Sequence, residues 1–532
     1  MQTQKTRRFT VKEWSWILYD WANSVYATNI MAAIFPIIFV NAAGASGDRW
    51  WSLGASITTL VVAVLSPMLG AIADFKGMKK KLFLGFMLLG VGMTAALAFV
   101  SDWRMMLAGY VLSHIGFSGA NLFYDSFLTD VTTNERMDKV SSWGYAMGYI
   151  GGSTIPFVLS IGMLLWLGYG NPIAQKFAIL ITSLWWLGFS IPFLKNVHQE
   201  HYIEKPKEGG QLTAALRNAW KTAKEITGSK GLRMFVLAYF FYIDGVGTII
   251  SVSTAYGTAL GLGAVGMILA LLVTQIVAMP CAILFGSLAK KVTTRRLLLF
   301  AISIYMVICV VGFVMGYTLE PHQRALDDGL APYHQAAWDK VDLGSMEDEG
   351  EARVRGAAFL DSARDALLSG KPEDLESLAF SKGDLSEADT LAMAPLVESI
   401  TASLPEQAES LSAQLEALRA ARSRSTLMFW AMAILVGTVQ GGIQAVSRSY
   451  YGKLVPKKRS NEYFGFFDIF GKFATFVGPL LYALIGGMTG RSSYGTLALL
   501  ALFLMGFLIL YAAKEPLREL EAQRAAEEAL AV

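Results

Sequence analysis

The chain has 532 residues, of which 54% are hydrophobic and 16% charged, with a formal net charge of +3. Soluble domains carry about 25% charged residues, so a string of ordinary soluble domains is excluded. The charge balance gives no footing for a nucleic-acid partner. The two cysteines, Cys281 and Cys309, sit in apolar stretches and suggest neither a disulfide framework nor a metal site.

Crossing the roughly 30 Å hydrocarbon core takes a helix of about 20 apolar residues. Such stretches recur near 14–40, 50–73, 82–101, 104–128, 140–167 and 173–194. Six more follow near 232–258, 263–288, 297–319, 426–450, 463–487 and 494–513. The expected fold is an all-α membrane protein, with twelve transmembrane helices in two pseudo-symmetric six-helix halves. The first half is 1–194. The second is 232–319 plus 426–513. A cytoplasmic linker (195–231), an acidic insertion (320–425) and a tail (514–532) complete the chain. The N-terminal "MQTQKTRRFTVKEW" is basic, but the apolar stretch behind it is long and lacks a small-residue cleavage site. It reads as an uncleaved first span.

Lys and Arg set the orientation. With the N-terminus inside, the tails and the loops after even-numbered spans hold about 29 of them. The outer short loops hold Arg49, Arg104, Lys176 and Arg491. Both termini are therefore expected in the cytoplasm, with the spans in a bacterial inner membrane. The insertion falls outside and carries 21 acidic against 10 basic residues. It reads as a small helical appendage, with helices over 353–370, 386–400 and 405–423. Gly370 and Pro372 stop the first, and Ser386 caps the second. In the linker, Leu212, Leu216, Trp220 and Ala223 share a face suited to a lipid surface, and a plain linker helix fits the pattern equally well.

The halves repeat one another. "GAIADFKGMKKKL" (70–82) follows the second span and "GSLAKKVTTRRLL" (286–298) follows the eighth. Gly70 pairs with Gly286, Ala73 with Ala289, Lys79 with Arg295 and Lys80 with Arg296, all at one offset. Internal repeats of this kind are typical of secondary transporters, whose halves rock around a midplane site.

Polar side chains inside spans are costly and usually face a cavity or a partner. At 100° per residue, four spans each carry one narrow polar stripe. Asp20, Asn23 and Ser24 share a face of the first span, while Asn29 falls opposite. His114, Ser118, Asn121 and Asp125 align in the fourth. Asp244, Gly247, Thr248 and Ser251 align in the seventh, and Gln440, Gln444, Ser447 and Tyr451 in the tenth. These are the first and fourth helices of each half, which points to one shared cavity. Asp244 lies near mid-depth. Asp125 and Arg448 sit near the cytoplasmic ends, where a gate ion pair is expected. Asp130 points away, toward the inner loop. "HQEH" (198–201) has no further ligand nearby to make a metal site. No nucleophile–base constellation and no nucleotide-binding module stand out, so neither an enzyme nor an ATP-driven pump is expected, and no cofactor.

The loop pattern G-x-x-A-D-x-x-G-x-K-K, together with twelve spans in two related halves, resembles the major facilitator superfamily. The resemblance implies that Asp74, with Gly70, Gly77, Lys79 and Lys80, helps lock the halves at the cytoplasmic side. Phe75 stands where the superfamily usually has a basic residue. "YDWANSVYATNI" (19–30), "FYIDGVGTI" (241–249) and "GYAMGYIGG" (144–152) narrow the likeness. They resemble the vacuole-effluxer branch of autophagy-linked amino-acid exporters and their bacterial relatives. That branch implies secondary transport, with amino-acid efflux the best-known cargo. The sequence thus reads as a monomeric alternating-access carrier of small polar solutes, with protons as a possible coupling partner. The substrate or proton residues are Asp20, Asn23, Ser24, His114, Asn121, Asp244, Thr248, Ser251, Gln440 and Gln444. The rival readings are a multidrug or other metabolite exporter, and a receptor or scaffold displaying 320–425.

Overall fold

The computed structural model describes residues 8–44, 47–168, 170–205, 210–261, 264–346, 349–370 and 387–530. Pro372 and Ser386, expected at helix ends, lie outside them. The described residues are almost entirely helical. The first span is α1 (Val11–Tyr26), a π-helical segment (Ala27–Ala33) and α2 (Phe35–Ala43). Then come α3 (Gly47–Ala73), α4 (Met78–Leu97), α5 (Trp103–Ser126) and the single turn α6 (Leu128–Val131). The fifth span repeats the broken pattern of the first: α7 (Asn134–Met147), a π-helical segment (Gly148–Thr154) and α8 (Ile155–Leu167). The sixth span, α9 (Pro172–Asn196), and the linker helix α10 (Gln211–Gly228) complete this part.

The second half has α11 (Lys230–Ala259), α12 (Ala264–Leu288), α13 (Thr294–Trp338), α16 (Ser412–Leu454), α17 (Ser460–Thr489) and α18 (Ser492–Ala512). Helices α14 (Glu349–Ser369) and α15 (Glu387–Ser410) lie between α13 and α16, and α19 (Lys514–Leu530) forms the tail. Among the described residues, eleven helices are long and apolar enough to cross a membrane. The twelfth span is α5, whose polar content (His114, Asn121, Asp125) dilutes its apolar character.

The beginning of α1 is fixed by a capping box, in which the Thr10 side chain accepts from the Glu13 N–H and Glu13 accepts from Thr10 N–H. Glu13 also takes a two-pronged bond from Arg136, at 2.7 and 2.6 Å, tying the start of α1 to the start of α7. The linker and tail helix pack at this same end of the bundle, the tail end: Asn134 bonds Glu528, and Arg459 bonds Glu225.

The insertion is built differently from its expected three or four short helices. Helix α13 runs on past 319, through Pro321 and Pro332, for 45 residues. At 1.5 Å per residue that is roughly 68 Å, about twice the hydrocarbon thickness. Helix α16 likewise enters from the insertion without a break, so the expected segment 405–423 is divided between α15 and α16. The expected boundaries at 319 and 426 thus fall inside continuous helices. Leu326, Leu330, Phe359, Leu396, Leu415 and Leu418 are buried in the resulting small bundle.

Helix α10 buries Ala215, Ala219, Thr222 and Ile226. Ala215 and Ala219 pack on Ala71 and Ile72 of α3. Leu216 and Trp220, from the face expected to meet lipid, remain exposed.

The two halves touch where side chains vanish. A Cβ on Gly70 of α3 would lie 2.3 Å from the Asn461 carbonyl oxygen of α17. A Cβ on Gly286 of α12 would lie 2.6 Å from Ser142 Cβ of α7. The repeated glycines therefore do the same job on opposite sides of the interface. Gly70→Val is expected to destabilise the protein by ~1–3 kcal/mol through overpacking. Gly85→Val, where a Cβ meets open space, is expected to leave the melting midpoint nearly unchanged. Thermal melts followed by tryptophan fluorescence check both.

Candidate transport site and gate

Of the four stripes expected from helical spacing, the ones on the first and fourth spans meet across helices. Asn23 of α1 donates to Asn121 of α5 at 2.5 Å. Further along the same pair, His114 lies against Tyr110 and Tyr26, with ring centroids 5.5 and 6.4 Å apart. Its Nδ1 is buried without a hydrogen-bond partner among the described residues. Asn29 lies on the other side of the first span, donating to Ser160 and Thr182 at 3.0 Å each.

Arg448 of α16 is the centre of the expected gate. It meets Asp125 of α5 at 2.8 Å and Asp20 of α1 at 3.2 Å. It also donates to the Ser141 hydroxyl of α7 at 3.0 Å. The guanidinium lies over the rings of Tyr145, Trp16 and Tyr124, at 4.5, 4.6 and 5.4 Å. A planar, delocalised cation suits such a ring-lined slot better than an ammonium does. Gly144 gives it room, because a Cβ there would come 2.4 Å from Asp20 Oδ2. Asp20, grouped by sequence with the cargo residues, is thus a partner of the gate arginine.

Further cross-half ties lie toward the tail end. Asp138 of α7 accepts from Ser449 at 2.6 Å and Lys453 at 2.5 Å, both on α16. Asp74 accepts three N–H groups from α17: Asn461 N at 3.0 Å, Asn461 Nδ2 at 2.7 Å and Glu462 N at 3.0 Å. A carboxylate at a helix start is a natural partner for unpaired backbone N–H groups. Lys79 pairs with Asp130 at 2.7 Å, and both side chains are fully buried. Asp130 also takes the His201 backbone N–H at 2.9 Å, so it serves the inner loop. Gly77 makes the turn between these groups with φ +73°. Phe75, in place of the usual basic residue, is buried and bridges to Ile203 of the linker. Lys80 forms no ion pair among the described residues.

Asp244 and Thr248 sit between α11 and α17. Asp244 Oδ1 accepts the Gly478 N–H at 2.9 Å. Its Oδ2 is buried and has no hydrogen-bond partner among the described residues. The local geometry repeats that of α1. Ser24 donates to the Asp20 carbonyl at 2.7 Å, and Thr248 donates to the Asp244 carbonyl at 2.7 Å. Both helices carry a carboxylate followed four residues later by a back-bonded hydroxyl. In both, the hydroxyl packs where a facing helix has glycine: Gly148 and Gly152 against Ser24, Gly478 against Thr248. Ser251, one turn on, is exposed. On α16, Gln444 donates to the Gln440 carbonyl at 3.3 Å. Gln440 lines a cavity of about 110 Å³ with Thr274 and Gln275, away from Asp244.

Sequence spacing missed several groups. Asp138 with Lys453 lies in loop-proximal segments where charges are ordinary. Asp468 and Lys472 of α17 form an ion pair four residues apart, and Asp468 accepts from Ser66 of α3 at 2.7 Å. Two charges one helical turn apart within "GFFDIFGK" were the available signal. The π-helical segments of the first and fifth spans had no comparable mark.

Comparisons with known proteins agree with this architecture. The profile described as "Vacuole effluxer Atg22 like" matches residues 51–323 and 423–520. The match skips most of the insertion and begins after the Asp-Trp-Ala-Asn-Ser string. An uncharacterized MFS-type transporter of Bacillus subtilis, YxiO, is 37% identical over 518 residues, covering 95% of each chain. Autophagy-related protein 22 of Cryptococcus neoformans is 33% identical over 82 residues, 15% of this chain and 14% of its own. Among solved structures, a bacterial homologue of the iron transporter ferroportin, in an outward-facing state, shares the fold with TM-score 0.55 at 11% identity, covering 95% of this chain and 98% of its own. The proton:xylose symporter XylE does so with TM-score 0.52 at 9% identity, covering 94% of each.

Two predictions follow from the gate. Arg448→Met leaves Asp20 and Asp125 without their cation and is expected to cost about 3–5 kcal/mol, as loss of one partner of a buried pair does. Arg448→Lys is expected to rescue only part of this. Denaturant melts of the purified protein measure both. For Asp74, burial and then the neighbouring Glu462 push the carboxyl up to about 7, above its ordinary 3.8. A group raised on folding stabilises below its unfolded pKa, and that contribution fades as pH rises through the folded one. The stability difference between wild type and Asp74→Asn is therefore expected to shift against the wild type from pH 4 to 7 and level off above. Melting midpoints across that range check the sign. By its match to that profile over most of its length and its 37% identity to the Bacillus transporter, the chain belongs to the vacuole effluxer Atg22-like family of MFS-type transporters.

Proposed function

We propose that the protein is a secondary transporter that exports small polar solutes, amino acids foremost, across a bacterial inner membrane by alternating access. Its tail end faces the cytoplasm, in line with the Lys and Arg bias of the loops. The reading rests chiefly on Asp244: a buried carboxylate within a span, with one oxygen that finds no partner among the described residues. An uncompensated carboxylate inside a membrane helix is costly and is usually retained for an ion or substrate. A cargo ammonium or a proton supplies what that oxygen lacks.

The cross-half bonds give the second element of the reading. They gather on the tail side: Arg448 with Asp20 and Asp125, Asp74 with Asn461, and Asp138 with Lys453. Release of cargo on the insertion side is compatible with these ties, and reloading requires them to part. Asn23, Ser24 and Asn121 then lie between the gate and the depth of Asp244, and Thr248 and Ser251 continue from Asp244 toward the insertion side. His114, Gln440 and Gln444 contribute polar atoms on its flanks.

A proteoliposome assay with radiolabelled amino acids tests the proposal. Wild-type protein is expected to carry at least one of them, and Asp244→Asn to lower the flux about tenfold or more, the equivalent of one lost charge-assisted contact. Unchanged flux in Asp244→Asn sinks the assigned role. Competition by hydrophobic cations, with no amino-acid flux, transfers the protein to the multidrug alternative.

A further inference from the structure

Two charges lie well inside α17. At 1.5 Å per residue, Asp468 is roughly 12 Å and Lys472 roughly 18 Å from the start of the helix. Burying such a pair in a span is expensive, and a hydrophobic pair of similar size would serve packing at least as well. The two side chains are not sealed off. They remain 24% and 18% exposed.

Their surroundings place them at the interface between the halves. Asp468 Oδ2 takes the Ser66 hydroxyl of α3 at 2.7 Å. The close approach of the two helices there is set by Gly465, whose Cβ would lie 2.6 Å from the Ser66 carbonyl oxygen. Helix α17 also packs directly on α5 of the other half, the helix that carries His114 and Asp125. Helix α17 of one half thus presents a carboxylate, with an ammonium paired to it, to α3 of the other, well inside the span.

We propose that Lys472 is a carboxylate-binding subsite, and that Asp468 occupies it in the absence of cargo. A cargo carboxylate competes with Asp468 for the ammonium. This proposal rests on the transporter reading and narrows its substrate class to solutes bearing a carboxylate. The exchange has a mechanical consequence. Asp468 is also the acceptor for Ser66, so drawing it out of its pair alters a bond between the halves. Cargo binding and the tie between α17 and α3 are then linked, and the linkage is reciprocal. The compact, strongly hydrated ammonium of lysine suits an exchangeable anion partner. The ring-clamped guanidinium of Arg448 suits a fixed one.

The test uses the full-length protein in detergent, with thermal shift and tryptophan-fluorescence titration. The probes are alanine and leucine, their methyl esters, and the deaminated acids propionate and isocaproate. The free acids are expected to bind and the esters not to. Lys472→Gln is expected to weaken the acids about tenfold or more. Lys472→Arg, which keeps the charge, retains binding, and Asp468→Asn, which removes the internal competitor, tightens it. Esters that bind as well as acids overturn the proposal. So does acid binding that Lys472→Gln leaves unchanged, acid binding that Asp468→Asn weakens, or a failure of every acid in the panel to bind. Should Lys472→Gln not fold, the Arg and Asp468→Asn variants still decide the matter. Binding of propionate or isocaproate without either amino acid keeps the subsite and removes amino acids as the cargo. Amino-acid binding indifferent to Lys472→Gln does the reverse.

Discussion

A guanidinium cannot be left dry and unpaired, and Arg448 is almost fully withdrawn from solvent. That requirement organises the tail end of the molecule. Two carboxylates from α1 and α5 must converge on one cation from α16. Ser141 of α7 supplies the remaining acceptors. For four helices to come so close, α7 must present Gly144 rather than a larger side chain. Three aromatic faces then fill the space around the cation. The network is satisfied when the halves are closed here. It is satisfied again only if water reaches all the charges when they part. Intermediate separations leave charges half-solvated and are disfavoured. A buried cross-half cation is therefore a device for two discrete states rather than a graded hinge.

The two halves contain the same parts wired unequally. Gly70 and Gly286 each let a helix press against the opposite half. Asp20 with Ser24 and Asp244 with Thr248 share one local geometry. In the first half the carboxylate has acquired an arginine. In the second it has a single backbone N–H and an oxygen without a partner among the described residues. The two copies thus differ in use: one ties the halves together, and the other leaves a buried carboxylate oxygen unsatisfied among the described residues.

Much of this was legible in the sequence because helices in lipid obey simple rules. Long apolar stretches located the spans, and 100° arithmetic put Asp20, Asn23 and Ser24 opposite Asn29. The pairing of Arg448 with Asp125 followed from depth alone. What failed did so for identifiable reasons. A fall in hydropathy marks the edge of the bilayer, not the end of a helix, so α13 and α16 ran through the expected boundaries. Prolines such as Pro321 did not stop α13, because one missing N–H in a long, packed helix is tolerated. Stripe analysis treats helices singly. It could see that Asp20 and Asp244 each had a polar face, but not that Arg448 would reach one of them. Lys472 and Asp468 escaped because a charge pair one turn apart is usually a solvated surface feature. Only the neighbour Ser66 reveals where Asp468 faces.

The contacts of α17 single it out as the helix that touches the tail-end lock, the other half and Asp244. Its first turn is held by Asp74 through Asn461 and Glu462. A turn or two further in, Asp468 is held by Ser66. Deeper still, the Gly478 N–H is held by Asp244, next to the kink-prone Pro479. One rigid helix therefore meets the loop lock, the other half's α3, and the unpaired carboxylate in sequence. The Asp74 and Ser66 contacts cross between the halves, whereas Asp244 and Gly478 belong to the same half. The two cross-half contacts of α17 therefore loosen together when the halves part, while Asp244 can travel with the helix. Coupling between sites requires an element whose two arrangements both sites bias, and α17 is placed to be that element.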